Sequence, residues 1–335
     1  MLEIVPSYTY LGVIFNYNGK FNVAKKALYD RASKAMFSVI GHCRKLQLPT
    51  TIAMDLFDKM VLPILTYGCE AWGHGNLELL EKLHLRFCKI ILGVSKITAS
   101  CMVYGELGRF PVDVYIKTKM LSYWAKLISG KPDKWSTRLY RVVVGLHNDG
   151  YIISEWCSVI QNTLNETGNS ELWINQRPVN NEWLKLSIAQ TLKDQFRQKW
   201  YAEVMVHPKC INYRCLITDH SFKPYLDMDI DESTRNSLSR FRLGSSPLPA
   251  AIGRNRGLDQ DEQCCNECNL NAVGDEFHFI LECPSFNTRR RSILPPNWLT
   301  YPNVLKFKMA MNPGNPYCTT QLGKFCEFIM KKLKG

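Results

Sequence analysis

The sequence predicts a mainly α-helical chain with a β-hairpin at its start and a small metal-stapled module near its end. Three observations predict it. Apolar residues recur at helical spacing through most of the first 130 residues. One aromatic and β-branched run, Tyr8 to Phe15, stands beside Asn18-Gly19. Near the C-terminus, Cys265, Cys268, His278 and Cys283 read Cys-x2-Cys-x9-His-x4-Cys.

Tyr8 to Phe15 reads as a strand, and Asn18-Gly19 is the expected hairpin turn. A lone hairpin is marginal in water, so this one should lean on other structure. From Val23 to Cys43 an apolar stripe holds Ala24, Leu28, Met36, Val39 and Ile40, while Lys25, Lys26 and Lys34 fall largely off it. A second helix is expected over about 51–66, shortened or kinked by Pro63. A third runs over about 76–92, with Gly93 as its cap, and a fourth over about 112–128. Such lengths and short connections predict a helical bundle. The middle contains Trp156, Trp173, Trp183 and Trp200, with its clearest helix over about 182–206. The polar stretch 162–170 reads as a loop or linker. The acidic run 227–232 reads as a solvated loop leading into a helix over 233–242. Gly253 to Gly257 reads as a basic turn, and a last helix is expected over about 320–333. These elements divide the chain into a hairpin segment at 1–22, a helical bundle at 23–130, a helical connector at 131–232 and a metal module with flanking helices at 233–335.

Three thiols and an imidazole are the donor set of a tetrahedral structural zinc site. The two-residue gap lets Cys265 and Cys268 face one ion, and four protein ligands leave no open position for a catalytic water. Such an ion folds a module rather than performing chemistry. Cys264, beside Cys265, could take its place.

No run of about 18 apolar residues occurs, so no membrane span is expected. Thirteen cysteines at irregular spacing fit a reducing nucleus or cytosol better than a secreted disulfide scaffold. The net charge of +12 is unevenly spread. Residues 1–140 carry 19 Lys and Arg against 10 Asp and Glu, the balance of a region that attracts phosphate backbones. The histidines outside the Cys/His pattern show no catalytic spacing with carboxylates, so no enzyme site is expected.

Four ordered stretches resemble one family. Tyr10-Leu11-Gly12-Val13 with Gly19 looks like the segment after the catalytic core in reverse transcriptases of non-LTR retrotransposons. Pro63-Ile64-Leu65-Thr66-Tyr67-Gly68-Cys69-Glu70-Ala71-Trp72 resembles the thumb signature of those proteins. Phe87 to Val94 and Tyr104 to Pro111 continue it in order. Asp275 to Phe279, Cys283-Pro284 and Arg289 are similar to the family's terminal zinc element.

The resemblance implies that 1–22 is a remnant of the primer grip, with Tyr10, Leu11 and Gly12 its matching residues, and that 23–130 is the thumb. A thumb holds template–primer by its backbones, so Lys25, Lys26, Lys34, Arg86, Lys89 and Lys96 are candidate phosphate contacts. Arg254, Arg256, Arg289, Arg290 and Arg291 flank the zinc element and join them. Glu70, Trp72, Glu106 and Arg109 are expected to be structural, with Glu106 and Arg109 pairing or capping helices. The spacing departs from the retroviral knuckle, with nine residues rather than four before the histidine, which speaks against retroviral-style base recognition.

The family's paired polymerase aspartates, its palm and its endonuclease have no counterpart, and the residues after Cys283 are too few for a nuclease domain. The resemblance therefore implies a non-catalytic fragment that binds RNA or an RNA–DNA duplex, with the missing polymerase core as a possible partner. The alternative is a host-recruited interaction module using the zinc element and the Trp-rich middle.

Overall fold

The computed structural model describes residues 5–333. Residues 1–4 and 334–335, the outer ends of the first and last expected segments, lie outside the described residues. Helices dominate, and a two-stranded antiparallel sheet stands at the N-terminal side. No described helix is long and apolar enough to cross a membrane. All thirteen cysteines are free of disulfides.

By packing, the chain forms two compact units. One holds the residues up to Val39, Leu56–His84 and Phe110–Gln198; the other holds Ile40–Asp55, Leu85–Arg109 and Lys199 onward.

In the first unit, the hairpin turn differs from the expected one. Strands Ser7–Tyr10 and Val13–Asn16 pair with Tyr10 opposite Val13, so the two-residue turn is Leu11-Gly12. Both turn residues have positive φ, 47° and 82°, the backbone of a type I′ hairpin. Asn18-Gly19 instead follows the second strand. The hairpin does lean on helical structure: Tyr67 Oη donates to Leu11 O at 3.0 Å and Arg31 to Gly12 O at 3.2 Å. Behind it, Trp72 Nε1 donates to Tyr67 O at 2.8 Å, and Trp156 Nε1 to Glu70 O at 2.7 Å. The Tyr67-Gly68-x-Glu70-x-Trp72 stretch is thus a packing joint.

The core of this unit holds a polar chain. Trp124 Nε1 donates to Tyr140 Oη at 2.7 Å, and that hydroxyl donates to Gln176 Oε1 at 2.5 Å. Burial raises the Tyr140 hydroxyl well above its ordinary pKa, so it stays protonated. Trp124 stacks on Trp173 at 6.4 Å.

Several helices match their expected bounds. Val112–Ile128 agrees at both ends, and Asn22–Lys45, Glu78–Ile91, Asn181–Val206 and Glu232–Arg242 agree within about two residues. The helical course expected over 51–66 is not shortened at Pro63 and reaches Leu65, but a π-turn interrupts it ahead of the proline. Helix Thr50–Leu56 passes through one π-turn, Phe57–Val61, into Leu62–Leu65. Proline lacks the N–H that would continue the α-ladder, and Leu62 N–H reaches back to Phe57 O instead. Other expectations are corrected. Residues 162–166 belong to helix Glu155–Glu166, so only 167–169 break the chain there. Gly253 to Arg256 end helix Pro249–Arg256, and Gly257 caps it with φ 72°. The last helix starts at Pro316, with Asn315 as its cap. In the acidic run, Asp231 caps Glu232–Arg242 by accepting from Thr234 N at 2.8 Å, and Asp227 accepts from Thr51 Oγ1 at 2.7 Å.

The second unit is organised around a buried ion pair. Arg242 Nε donates to Glu106 Oε1 at 2.5 Å, with both side chains almost fully buried. The guanidinium also donates to Met311 O at 2.6 Å and Asn312 Oδ1 at 2.9 Å, and lies 5.1 Å from the Tyr225 ring. Burial alone would push Arg242 down in pKa, but the Glu106 carboxylate and Tyr225 hold it above its ordinary value. Glu106 is therefore structural, as expected, but its partner is Arg242.

Two stability predictions result. Arg242→Met or Glu106→Gln should cost about 3–5 kcal/mol by urea unfolding, because each strands a buried partner, and the double variant Glu106→Leu/Arg242→Met should recover most of that loss. Tyr140→Phe should cost about 1–3 kcal/mol by leaving the Trp124 N–H unpaired.

Candidate metal centre

Cys265 opens a tight loop. Cys265 N donates to Ala272 O at 2.8 Å and Gly274 N to Gln263 O at 2.8 Å, and a single antiparallel bridge joins Cys264 to Val273. The backbone then turns into Phe277, and one π-turn runs over His278–Glu282. It closes with Cys283 N donating to His278 O at 2.8 Å. This wide turn places His278 and Cys283 on the same side as the Cys265–Cys268 loop.

The ligand atoms of Cys265, Cys268, His278 and Cys283 all lie within 4.8 Å of one another. Cys265 Sγ is 3.8 Å from Cys283 Sγ, and Cys268 Sγ is 3.4 Å from His278 Nε2. A tetrahedron with metal–sulfur bonds of about 2.3 Å separates its sulfurs by about 3.8 Å, so the donors fit a single ion. The supporting contacts fit as well. His278 Nδ1 lies 3.3 Å from Glu282 Oε2, which turns Nε2 toward the cluster, as a carboxylate does behind a metal-bound histidine. Asp275 Oδ1 accepts from His278 N at 2.9 Å, and Glu267 N points at Cys265 Sγ at 3.4 Å. Burial raises the Cys265 thiol and pushes Cys283 up to about 12. These four residues can hold a metal ion.

The alternative left open at Cys264 is decided by geometry. Its Sγ contacts Asn271 O at 3.7 Å, outside the cluster.

The candidate phosphate contacts fare unequally. Lys34, Lys96, Arg256 and Arg291 are exposed, and so is Arg86. Lys26 is exposed but paired with Asp30 at 2.7 Å. Arg254 is half-buried, and its charge acts on Glu276. Lys89 is half-buried and donates to Lys96 O at 2.8 Å. Arg289 is exposed and stacks over Phe328 at 5.4 Å. Two assignments are corrected. Lys25 is buried and donates to His74 O at 2.5 Å and Asn76 O at 3.2 Å, and burial lowers its pKa. Arg290 is buried and donates to the carbonyls of Ile280, Phe279 and Cys283 at 2.8, 3.1 and 2.8 Å. Burial brings its pKa down to about 10. It staples the ligand-bearing turn and cannot reach a phosphate. Among the primer-grip residues, Tyr10 and Leu11 are exposed at the hairpin tip beside Gly12. Trp173 and Trp200 are core residues, which removes them from any surface of the Trp-rich middle. Sequence reasoning missed Arg242 and Glu282; a carboxylate four residues after His278 was the available sign of the latter.

No known family profile matches the chain, and no solved structure matches it. An uncharacterised transposon-derived protein of Caenorhabditis elegans is 23% identical over 190 residues, covering 47% of this chain and 67% of that protein. The likeness supports a transposon origin for this chain.

Native mass spectrometry should find one bound divalent ion per chain. His278→Ala and Cys283→Ser should lose it and lower the melting temperature, whereas Cys264→Ser should keep both unchanged.

Proposed function

We propose that this chain is the thumb and C-terminal part of a non-LTR retrotransposon reverse transcriptase. It grips RNA or an RNA–DNA duplex through its basic helices without catalysing polymerisation. Residues 23–130 then form the thumb, 131–232 the connector and 233–335 the metal module. Tyr10, Leu11 and Gly12 form the tip that would meet a polymerase core supplied from elsewhere. The ion is zinc, because three thiols and an imidazole in a closed site favour it over harder cations. The observation that carries the reading is the convergence of four ligands, two of them (His278 and Cys283) from the block that resembles the family's zinc element, in a chain similar to a transposon-derived protein.

Duplex gripping by charge alone has a measurable signature. A labelled RNA–DNA hybrid should bind at micromolar protein or tighter, and log K should fall linearly with log salt. Lys34→Glu and Arg86→Glu should each weaken binding to all sequences alike and reduce the salt slope by about 1. Salt-independent affinity, or none up to about 10 μM protein, would overturn the gripping role. Extension of an annealed primer by the purified chain would overturn its non-catalytic character.

A further inference from the structure

A cleft of about 670 Å³ opens in the second unit, between the 93–98 loop, helix Glu232–Arg242, the 244–247 loop, helix Pro249–Arg256 and the last helix. Its volume is that of a small-ligand site. Thr98, Asn236 and Ser246 line it. Thr98 Oγ1, Asn236 Oδ1 and Ser246 Oγ are buried and find no hydrogen-bond partner among the described residues. Thr98 is 6% exposed and Ser246 4%. A buried polar atom left unpaired costs stability, and three around one cavity are the mark of groups awaiting a ligand.

The charges around the cleft have one sign in excess. Lys209, Arg240 and Lys331 face a single carboxylate, Glu327, which Lys331 already pairs at 2.9 Å. Lys209 spends one donor on Ile97 O at 3.2 Å. Arg240 spends its Nε on Gly93 O at 2.7 Å, which leaves both Nη groups for an anion. Gly93 is what permits this geometry. It sits at φ 64°, and a Cβ there would stand 2.4 Å from the Asn236 side chain. Met102, Ile252 and Met330 also line the cleft and form its apolar wall.

Cations and hydroxyl donors beside an apolar wall, in a space of this size, match an anionic phosphate joined to a flat heterocycle. We propose that this cleft binds a single nucleotide, with Lys209, Arg240, Thr98 and Ser246 on the phosphate, the base against the apolar wall and Asn236 on a polar edge of the base. A free nucleotide and the phosphorylated end of a strand present the same chemistry to this cleft.

The test uses the full chain and calorimetric titration with adenosine 5′-monophosphate, inorganic phosphate and a short RNA with or without a 5′-phosphate. The monophosphate should bind below about 1 mM and more tightly than phosphate alone. Lys209→Ala should weaken it about tenfold. Thr98→Val with Ser246→Ala should also weaken it about tenfold while raising the melting temperature of the ligand-free chain, because two unpaired buried hydroxyls are gone. A purely structural role for those hydroxyls would not couple a gain in stability to a loss of affinity. Competition by the 5′-phosphorylated RNA alone marks a strand end as the source, and failure of both RNAs to compete marks a free nucleotide. No binding of the monophosphate, phosphate binding equally well, or unchanged affinity in the Thr98/Ser246 variant would overturn the assignment. Duplex binding measured on the same preparation separates this failure from that of the gripping role, since the cleft can be empty while the basic helices still bind.

Discussion

The second unit depends on the buried contact between Arg242 and Glu106. An isolated charge in that interior would be untenable, so each side chain requires the other. The contact joins residues 136 positions apart. It also fixes a third element, since the same guanidinium closes on the carbonyl end of helix Val304–Met311 through Met311 O. Such a pair adds little net stability over a well-packed apolar substitute, but it admits few alternative registers. Arg290 plays a similar part at the metal centre, where its donors satisfy three carbonyls around the π-turn. Two buried guanidiniums thus tie down helix ends that would otherwise present unpaired carbonyls.

The stretches that resemble a reverse transcriptase thumb have physical roles that explain their residue types. Tyr67 and Trp72 lock the chain around Gly68 and hold the hairpin tip by its backbone. Glu106 is the buried anion of the second unit. Gly93 gives Asn236 and Arg240 their close approach to the loop. In the terminal block, Asp275 caps His278 and Phe279 packs edge-on against Phe286 at 5.6 Å. These are scaffold residues, and none of them needs a substrate to account for it.

Local pattern made much of the fold legible. Helix Val112–Ile128 follows from its apolar spacing and the proline before it, and the metal ligands follow from donor type and spacing. Sequence reading failed where non-local packing decides. Leucine is a poor candidate for positive φ, so Leu11-Gly12 gave no turn signal beside the stronger Asn18-Gly19. The end of helix Glu155–Glu166 looked like a linker because its residues are mostly polar, yet Thr163 and Leu164 are buried there. Nothing in Arg289-Arg290-Arg291 marks the middle residue as the buried one; only the path of the π-turn does. Lys25 resembles its neighbour Lys26 in sequence, yet burial and two carbonyls separate their fates.

The π-turn between His278 and Cys283 also governs how this module can vary in length. Both donors ride on one rigid turn closed by a backbone bond of 2.8 Å. Adding or deleting one residue there would swing the sulfur around the helical axis and away from its three companions. The nine positions before His278 include the tip of the bridged loop, with Asn271 at φ 49° and an exposed Leu270. Length variation among relatives of this module should therefore accumulate on that side, leaving the four-residue interval the better ruler for aligning them.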